Sequence, residues 1–438
     1  MAFSITPAPS LWHDVITEAR WFSSHGEDAR IARIDAGPWY RVTDEVAVRS
    51  EFATVVAGAH EEHEAIYHLI VGYRPTGQAD PSVVIGCVEE TSDGVTQTFD
   101  VVDATSDPLA RDALVDALVD STTPGPMTWL SAPPPPGIPA TTAAGFSSNT
   151  LLLLGEEILL KIIRRLPGGA AIEAEMLGGL NGSALAPRLL GVFALETAEG
   201  ESEPITLGLA IERLANRGDG WELAVAACQA GRSFAAEAQE LGQTLRLLHD
   251  RLADVFPTEQ RPRHELTAAL HAHALDATAD IAPLSAHISE IDRVLGPDGD
   301  ADTSVVTQRV HGDFHLGQVL ATDDGWRAID FEGEPLKTPQ ERRQADSPLR
   351  DVAGLLRSLD YARAHHPEPD SEAARAWGEE ARAAALDGYG PIDDPGLLAA
   401  YELDKALYEV VYELHHRPDW APIPLRAVAT ILAGAAEK

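Results

Sequence analysis

Three side chains in the segment 310–334, V-H-G-D-F-H-L-G-Q-V-L-A-T-D-D-G-W-R-A-I-D-F-E-G-E, have the types and spacing for phosphoryl transfer. Asp313 is followed five residues later by an amide, Gln318, and, beyond a turn, by Asp330. Moving a γ-phosphoryl group needs little covalent help from protein. It needs an aligned acceptor hydroxyl and charge neutralisation along the phosphates. A carboxylate beside the hydroxyl can orient it and take its proton, which suits Asp313. Mg²⁺ prefers hard oxygen ligands, often one or two of them from protein. The amide oxygen of Gln318 and the carboxylate of Asp330 fit that preference. A rival chemistry uses the same segment: His311, Asp313 and His315 alternate, so one strand face could present all three to a metal, as in a metal-dependent hydrolase. In the phosphoryl-transfer reading His311 supports the loop backbone and His315 packs behind the residues that do the chemistry.

These residues need elements to bring them together. Leu316, Val319 and Leu320 are apolar, so the loop leads into a short buried strand. Thr322-Asp323-Asp324-Gly325 is a strong turn, and residues 326–331 read as the return strand. Such a hairpin carries Gln318 and Asp330 back to one place. The spacing matches the H-R-D-x-x-x-x-N loop and the D-F-G aspartate of phosphotransferases. A cation for the α/β-phosphates is also required. The apolar runs 149–154 and 158–163, split by Gly155-Glu156-Glu157, read as a second hairpin, with Lys161 inside its apolar return strand. A lysine there is costly to bury without a partner or ligand. The helix expected over 171–180 supplies Glu175 as its ion-pair partner, with Glu173 as the alternative. Arg164 and Arg165 are expected to face solvent or phosphate. No G-x-G-x-x-G or G-x-x-x-x-G-K-[ST] occurs, and Gly145-Phe146-Ser147-Ser148-Asn149-Thr150 stands in the phosphate-covering position instead.

The chain of 438 residues carries 33 basic and 69 acidic residues, a formal net charge of −36. That field repels nucleic acid and anionic membranes. The two cysteines, Cys87 and Cys228, lie far apart and suggest neither a disulfide scaffold nor a zinc site. No signal-peptide pattern opens the chain, and its most apolar run, 151–163, is broken by Glu156, Glu157 and Lys161. A cytoplasmic protein is the expectation. His60, His63 and His68 lie among Glu61, Glu62 and Glu64, which reads as a solvated acidic turn before a metal site.

The pattern predicts an α+β, bilobal, protein-kinase-like fold. Residues 1–90 form an N-terminal cap subdomain, with a helix over 11–21 and strands over 39–42, 52–57, 65–73 and 83–88. Residues 91–217 form a β-rich intermediate subdomain, with a strand over 96–102, a helix over 108–119, a stiff Pro133–Pro136 connector and a buried strand over 205–214. Backbone groups of Glu212 and Leu214 would meet an adenine edge. Residues 218–438 form a helical C-lobe, with helices over 234–252, 267–281, 285–295, 348–362, 371–385 and 397–414.

H-G-D-F-H-L-G-Q, D-F-E-G-E-P, S-P-L-R-D-V-A-G-L-L-R-S-L-D-Y-A and Y-E-V-V-Y-E-L-H-H-R-P-D-W together resemble the actinobacterial glucosamine kinases and maltokinases, within the aminoglycoside-phosphotransferase-like, kinase-like superfamily. The resemblance covers most of the chain. It implies ATP and Mg²⁺, with Asp313 as catalytic base, Gln318 and Asp330 as Mg²⁺ ligands, Lys161 on the phosphates and Glu175 as its partner. It also implies that Asp351 braces the catalytic loop; a helix N-terminal charge is the other reading of that residue. The chain departs from the maltokinases between Arg165 and Leu180, where Ala170-Ala171-Ile172-Glu173 replaces an N-P-D-type segment, and this favours glucosamine over maltose as acceptor. The acceptor-binding candidates are Asp313, His315, Glu332, Glu409 and Trp420. Glu409 and Glu413 lie one helical turn apart, so a protonated amino sugar could compensate them, with Trp420 offering a flat face. In the alternative reading Lys405, Glu409, Glu413 and Arg417 satisfy one another as an i, i+4 ladder.

Overall fold

The computed structural model describes residues 5–22, 28–58, 63–92, 95–120, 126–143, 148–166, 168–196, 203–278, 281–295, 303–334 and 337–436. The chain divides into two compact units, Met1–Glu175 with Arg188–Leu214, and Met176–Pro187 with Ala215–Lys438.

The first unit contains two antiparallel sheets. One has five strands in the spatial order Ala29–Val42, Ala47–Ala57, His63–Pro75, Val95–Asp103, Val84–Ser92. Alternation lets each strand serve two cores. One face buries Leu69, Val71 and Tyr73 with Trp12 and Ile16 from the helix Pro9–Thr17. The other buries Val48, Ile70 and Val102 with Leu114 and Leu118 from the helix Pro108–Val119. Residue 90 therefore falls inside a strand of this sheet, not at a boundary, because Val95–Asp103 pairs with both Val84–Ser92 and His63–Pro75. The second sheet has six strands in the order Met127–Trp129, Leu189–Leu195, Ile205–Glu212, Ile158–Ile162, Thr150–Leu154, Ala140–Thr142. Leu160, Ile162 and Phe193 join the same core as Leu114 and Ile70.

Arg164 departs from expectation. It is 1 % exposed, because the chain beyond Ile158–Ile162 runs on in extended pairing with the first sheet. His68 N–H donates to Arg164 O at 2.7 Å and Leu166 N–H to Ile66 O at 2.9 Å. Its guanidinium donates to Asp103 Oδ2 (2.8 Å), Thr150 Oγ1 (2.8 Å) and the His68 carbonyl (3.3 Å). Arg165 is exposed. His68 belongs to no acidic turn: it is fully buried, 2.6 Å from Ser50 Oγ and 3.2 Å from Ile163 O, and burial pushes its pKa down to about 3. His60, Glu61 and Glu62 lie outside the described residues.

The second unit is helical. Asp219, Ser371 and Asp394 cap the helices Gly220–Gln229, Glu372–Tyr389 and Pro395–His416 through their side chains. The helices Ala235–Val255 and Leu349–Arg363 complete its centre, burying Leu241, Leu245, Leu248 and Leu252 on one and Leu355, Leu356 and Leu359 on the other at helical spacing. Two small two-stranded sheets interrupt this helical unit, Glu259–Pro262 with Ser304–Thr307 and the hairpin of Val319–Thr322 with Gly325–Ala328. Among the described residues no helix is long and apolar enough to cross a membrane.

Candidate active site

The expected hairpin forms, with Val319 opposite Ala328 and Thr322 opposite Gly325, its return strand running over Gly325–Ala328. Its ends hold the pair that the spacing singled out. Ile329 N–H donates to Gln318 O at 2.9 Å, and Gln318 Nε2 donates to Asp330 Oδ2 at 3.2 Å. The Gln318 amide oxygen is thereby directed away from that bond. Asp330 has φ 63°, the one left-handed non-glycine residue among those described. Such a backbone costs free energy and clusters at functional positions. Carboxylate oxygens of Asp330 and Glu332 lie within 4.8 Å of each other. The two carboxylates at the strand end are hard-oxygen donors, which fits Mg²⁺, and the Gln318 amide would join them by turning its oxygen toward Asp330.

The loop carrying Asp313 is held from behind by a buried anion. Asp351, 0 % exposed, accepts from His311 N–H (2.8 Å), Gly312 N–H (2.8 Å) and His249 Nε2 (3.0 Å). It is thus a brace for the loop and more than a helix-terminal charge. Burial alone would raise its pKa, but the His249 hydrogen bond and the neighbouring positive field carry it below the usual carboxylate value. Glycines let the helices press against the same loop. A Cβ on Gly354 would collide with the Phe314 carbonyl, and one on Gly220 would lie 2.8 Å from the Leu316 carbonyl. Ser358 Oγ accepts from Leu316 N–H at 3.2 Å.

His311 turns inward, 2.9 Å from Ile329 O with its Nε2, and its ring packs 4.7 Å from that of Phe331. His315 Nδ1 accepts from Gly317 N–H at 3.0 Å. The three alternating residues do not share one face, and the metallohydrolase arrangement is not formed. Asp313 itself pairs with a residue assigned elsewhere by the sequence: Lys405 Nζ donates to Asp313 Oδ1 at 3.0 Å, while His315 Nε2 lies 3.9 Å from Oδ2. Burial opposes ionisation of Asp313, but Lys405 and His315 outweigh it and hold its pKa below the usual value. Lys405, against burial, is held firmly cationic by Asp313 and Glu334.

A cavity of about 550 Å³ opens beside this loop, lined by Trp221, His315, Tyr361, Lys405, Glu409 and Trp420 among others. Glu409 takes two hydrogen bonds from Arg357, both on Oε2, at 2.7 and 3.0 Å. Arg357 also serves Asp360 at 2.5 Å, so its charge is shared. Burial raises the Glu409 pKa despite Arg357. Glu413 is saturated by Arg417 (2.7 and 2.9 Å) and the Tyr361 hydroxyl (3.1 Å). The ladder therefore forms only at its Glu413–Arg417 end; Lys405 leaves it for Asp313 and Glu409 turns to Arg357. Trp420 stands against Tyr361, His365 and Arg417. Glu332 follows Asp330 and is not among the residues lining the cavity.

In the first unit Lys161 is 5 % exposed and donates to Glu173 Oε2 at 2.7 Å. Glu173, not Glu175, is thus the partner. The helix Ile172–Leu180 turns Glu173 inward (4 % exposed) and leaves Glu175 exposed. Glu173→Gln is expected to destabilise the chain by about 2 kcal/mol, the worth of a charge-assisted buried hydrogen bond. Glu175→Gln should fall within about 0.5 kcal/mol. Urea unfolding of both variants checks this, and equal losses would contradict it. The Glu212 N–H is engaged by Arg188 O at 2.9 Å and the Arg213 N–H by Glu157 O at 2.8 Å. The Glu212 carboxylate also pairs with Arg188. The N–H of Glu212 is therefore spent and cannot serve an adenine edge. Asn149 is buried, with Oδ1 accepting from Arg164 N–H at 3.2 Å; Gly145, Phe146 and Ser147 lie outside the described residues.

Sequence reasoning passed over Arg357 and Tyr361 as site residues. Both sit in the quoted S-P-L-R-D-V-A-G-L-L-R-S-L-D-Y-A motif, and helical spacing places Arg357, Tyr361 and Gly354 near one face, the available signal.

Residues 142–391 match the phosphotransferase enzyme family. A glucosamine kinase of Streptacidiphilus jiangxiensis is 27 % identical over 299 residues, 61 % of this chain and 66 % of that protein, just under two thirds of its length. A glucosamine kinase of Mycolicibacterium smegmatis is 25 % identical over 61 % of this chain and 71 % of that protein. The fold is shared with a glucosamine kinase solved with glucosamine, ADP and inorganic phosphate, at TM-score 0.63 and 20 % identity, over 98 % of this chain and 100 % of that one. The architecture is accordingly kinase-like.

Proposed function

The chain belongs to the phosphotransferase enzyme family, and from that premise we propose that it transfers the γ-phosphoryl group of ATP to a hydroxyl of a small sugar, glucosamine by preference. The observation that carries the phosphoryl-transfer reading is the Gln318–Asp330 pair, joined at a strained strand end and fed by the same loop as Asp313.

In this reading Asp313 orients the acceptor hydroxyl and receives its proton. Gln318 and Asp330, with Glu332 beside them, would hold Mg²⁺, which neutralises charge on the transferred phosphates. Lys161, kept in place by Glu173, serves the phosphates, and the Glu212 carbonyl and the Leu214 backbone are the candidates for the adenine edge. The acceptor oxygen forms its bond to the γ-phosphorus as the bond to the bridging oxygen breaks, and that electron pair leaves with ADP.

Two relatives that act on glucosamine support the amino sugar. So does the charge balance round Glu409, where Arg357 and Arg382 together serve three carboxylates, Glu409, Asp360 and Glu402; an ammonium group would relieve it. Trp420 lines the same cavity, its ring held by Tyr361, His365 and Arg417. A neutral disaccharide such as maltose is the second reading. It is favoured by the cationic Lys405 in the wall and by a cavity of about 550 Å³, roomy for one sugar ring.

The test is ADP release with ATP, Mg²⁺ and glucosamine, N-acetylglucosamine, glucose or maltose. Glucosamine is expected to lead in kcat/KM. N-acetylglucosamine, which has no ammonium group, should trail by about tenfold or more, corresponding to about 1.4 kcal/mol. Maltose in the lead would establish the second reading, and no sugar-dependent ADP release would end both.

A further inference from the structure

Among the described residues, Lys405 is the sole side chain that donates a hydrogen bond to the Asp313 carboxylate. It reaches Oδ1 at 3.0 Å from the helix Pro395–His416, 92 residues away in sequence. His315, the neighbour on the other oxygen, stands off at 3.9 Å. Both partners of the pair are mostly buried, with side chains 23 % and 19 % exposed. Lys405 is itself steered: Glu334 Oε1 lies 3.9 Å from its ammonium, and the Tyr408 ring centroid 5.7 Å.

We propose that Lys405 is a positioning residue for the base. By tying Oδ1, it presents Oδ2, the oxygen on the His315 side, to the acceptor hydroxyl. The inference rests on Asp313 being the base. An aspartate carboxylate rotates broadly about its last torsion, and a reacting hydroxyl has to be held in a narrow geometry. The backbone brace at Asp351 fixes where the loop lies, but not how the Asp313 carboxylate is turned. The ammonium supplies that second restraint. In the transfer, the hydroxyl proton passes to Oδ2 while the hydroxyl oxygen bonds to the γ-phosphorus and the bridging oxygen leaves with ADP. Oδ1 stays on Lys405 throughout.

A double-mutant cycle with ATP, Mg²⁺ and glucosamine tests this on the full chain, using Lys405→Met, Asp313→Asn and the pair together. Lys405→Met is expected to lower kcat about a hundredfold, the scale of a misplaced catalytic group. The KM for glucosamine should stay within about threefold, because the Lys405 ammonium is engaged by Asp313. Lys405→Arg, which keeps a cationic donor, should recover much of kcat. In the Asp313→Asn background Lys405→Met should cost nothing further, since a residue acting through another has no effect once that other is gone. Effects that multiply, or a raised KM with kcat intact, would overturn the inference and make Lys405 a contact of the sugar itself. Should methionine unfold the chain, Lys405→Gln, which keeps a donor without the charge, enters the same cycle. Full kcat in Asp313→Asn alone would remove the base, and the Lys405 inference with it, by a separate result.

Discussion

Replacing Asp313 by asparagine is expected to lower kcat with glucosamine by about 10²- to 10⁴-fold, the usual worth of a positioned general base. Asparagine has nearly the same shape and can still accept a hydrogen bond, but it cannot take the proton. The fold should survive, because the loop is anchored at Asp351 through His311 and Gly312 and not through Asp313. Nucleotide affinity should survive as well, since the proposed metal ligands and Lys161 are untouched. The measurement is steady-state ADP release, with nucleotide binding followed by calorimetry. An enzyme that keeps its kcat would show that Asp313 is not the base. A loss of kcat accompanied by an equal loss of nucleotide affinity would move Asp313 to the metal instead.

The second large effect is structural. Asp351→Asn is expected to cost about 3–5 kcal/mol of stability, the range for breaking a buried charged contact. Its oxygens serve three donors, the His311 and Gly312 amides and His249, whereas an asparagine NH₂ would oppose at least one of them. His249 is also 3.0 Å from the Tyr389 hydroxyl, so the loss spreads into the helix Glu372–Tyr389. Activity should fall as well, because the catalytic loop loses the anion that orders its turn. The pH dependence has a definite sign. The folded pKa of Asp351 lies below its unfolded value, about 3.9 for an unperturbed aspartate. Its contribution is therefore present above about pH 4 and is lost as pH falls through the folded value. Urea unfolding of both proteins should show a wide gap at pH 7 that narrows steadily in acid. A constant gap would mean that shape, not charge, explains the loss.

Local chemistry made part of this protein legible. The turn Thr322–Gly325 and the apolar residues around it predict a hairpin, and hairpin geometry alone returns Gln318 to Asp330. The same locality explains the helices of the second unit: the Leu241, Leu245, Leu248 and Leu252 spacing can bury one face only as a helix. Misreadings arose where the answer depended on phase or on distant partners. Glu173 and Glu175 differ by two residues, or about 200° round a helix, and the side that faces Lys161 is set by tertiary packing. Arg164 looks like a surface residue beside Arg165, yet His68 and Asp103 lie across the sheet from it. The boundary at residue 90 failed because strand pairing joins Val84–Ser92 to Val95–Asp103, which composition does not reveal.

The sequence by itself determined which atoms are available for chemistry, an ordered carboxylate–amide–carboxylate series on a loop and hairpin, because a short turn closes within a few residues and needs no distant help. Only the tertiary structure decided what each charge is paired with: Lys405 with Asp313, Arg357 with Glu409, Asp351 with the loop amides. Those pairings join segments tens of residues apart in the chain. A buried charge is stable only with its partner, and which partner it meets depends on how the whole unit packs.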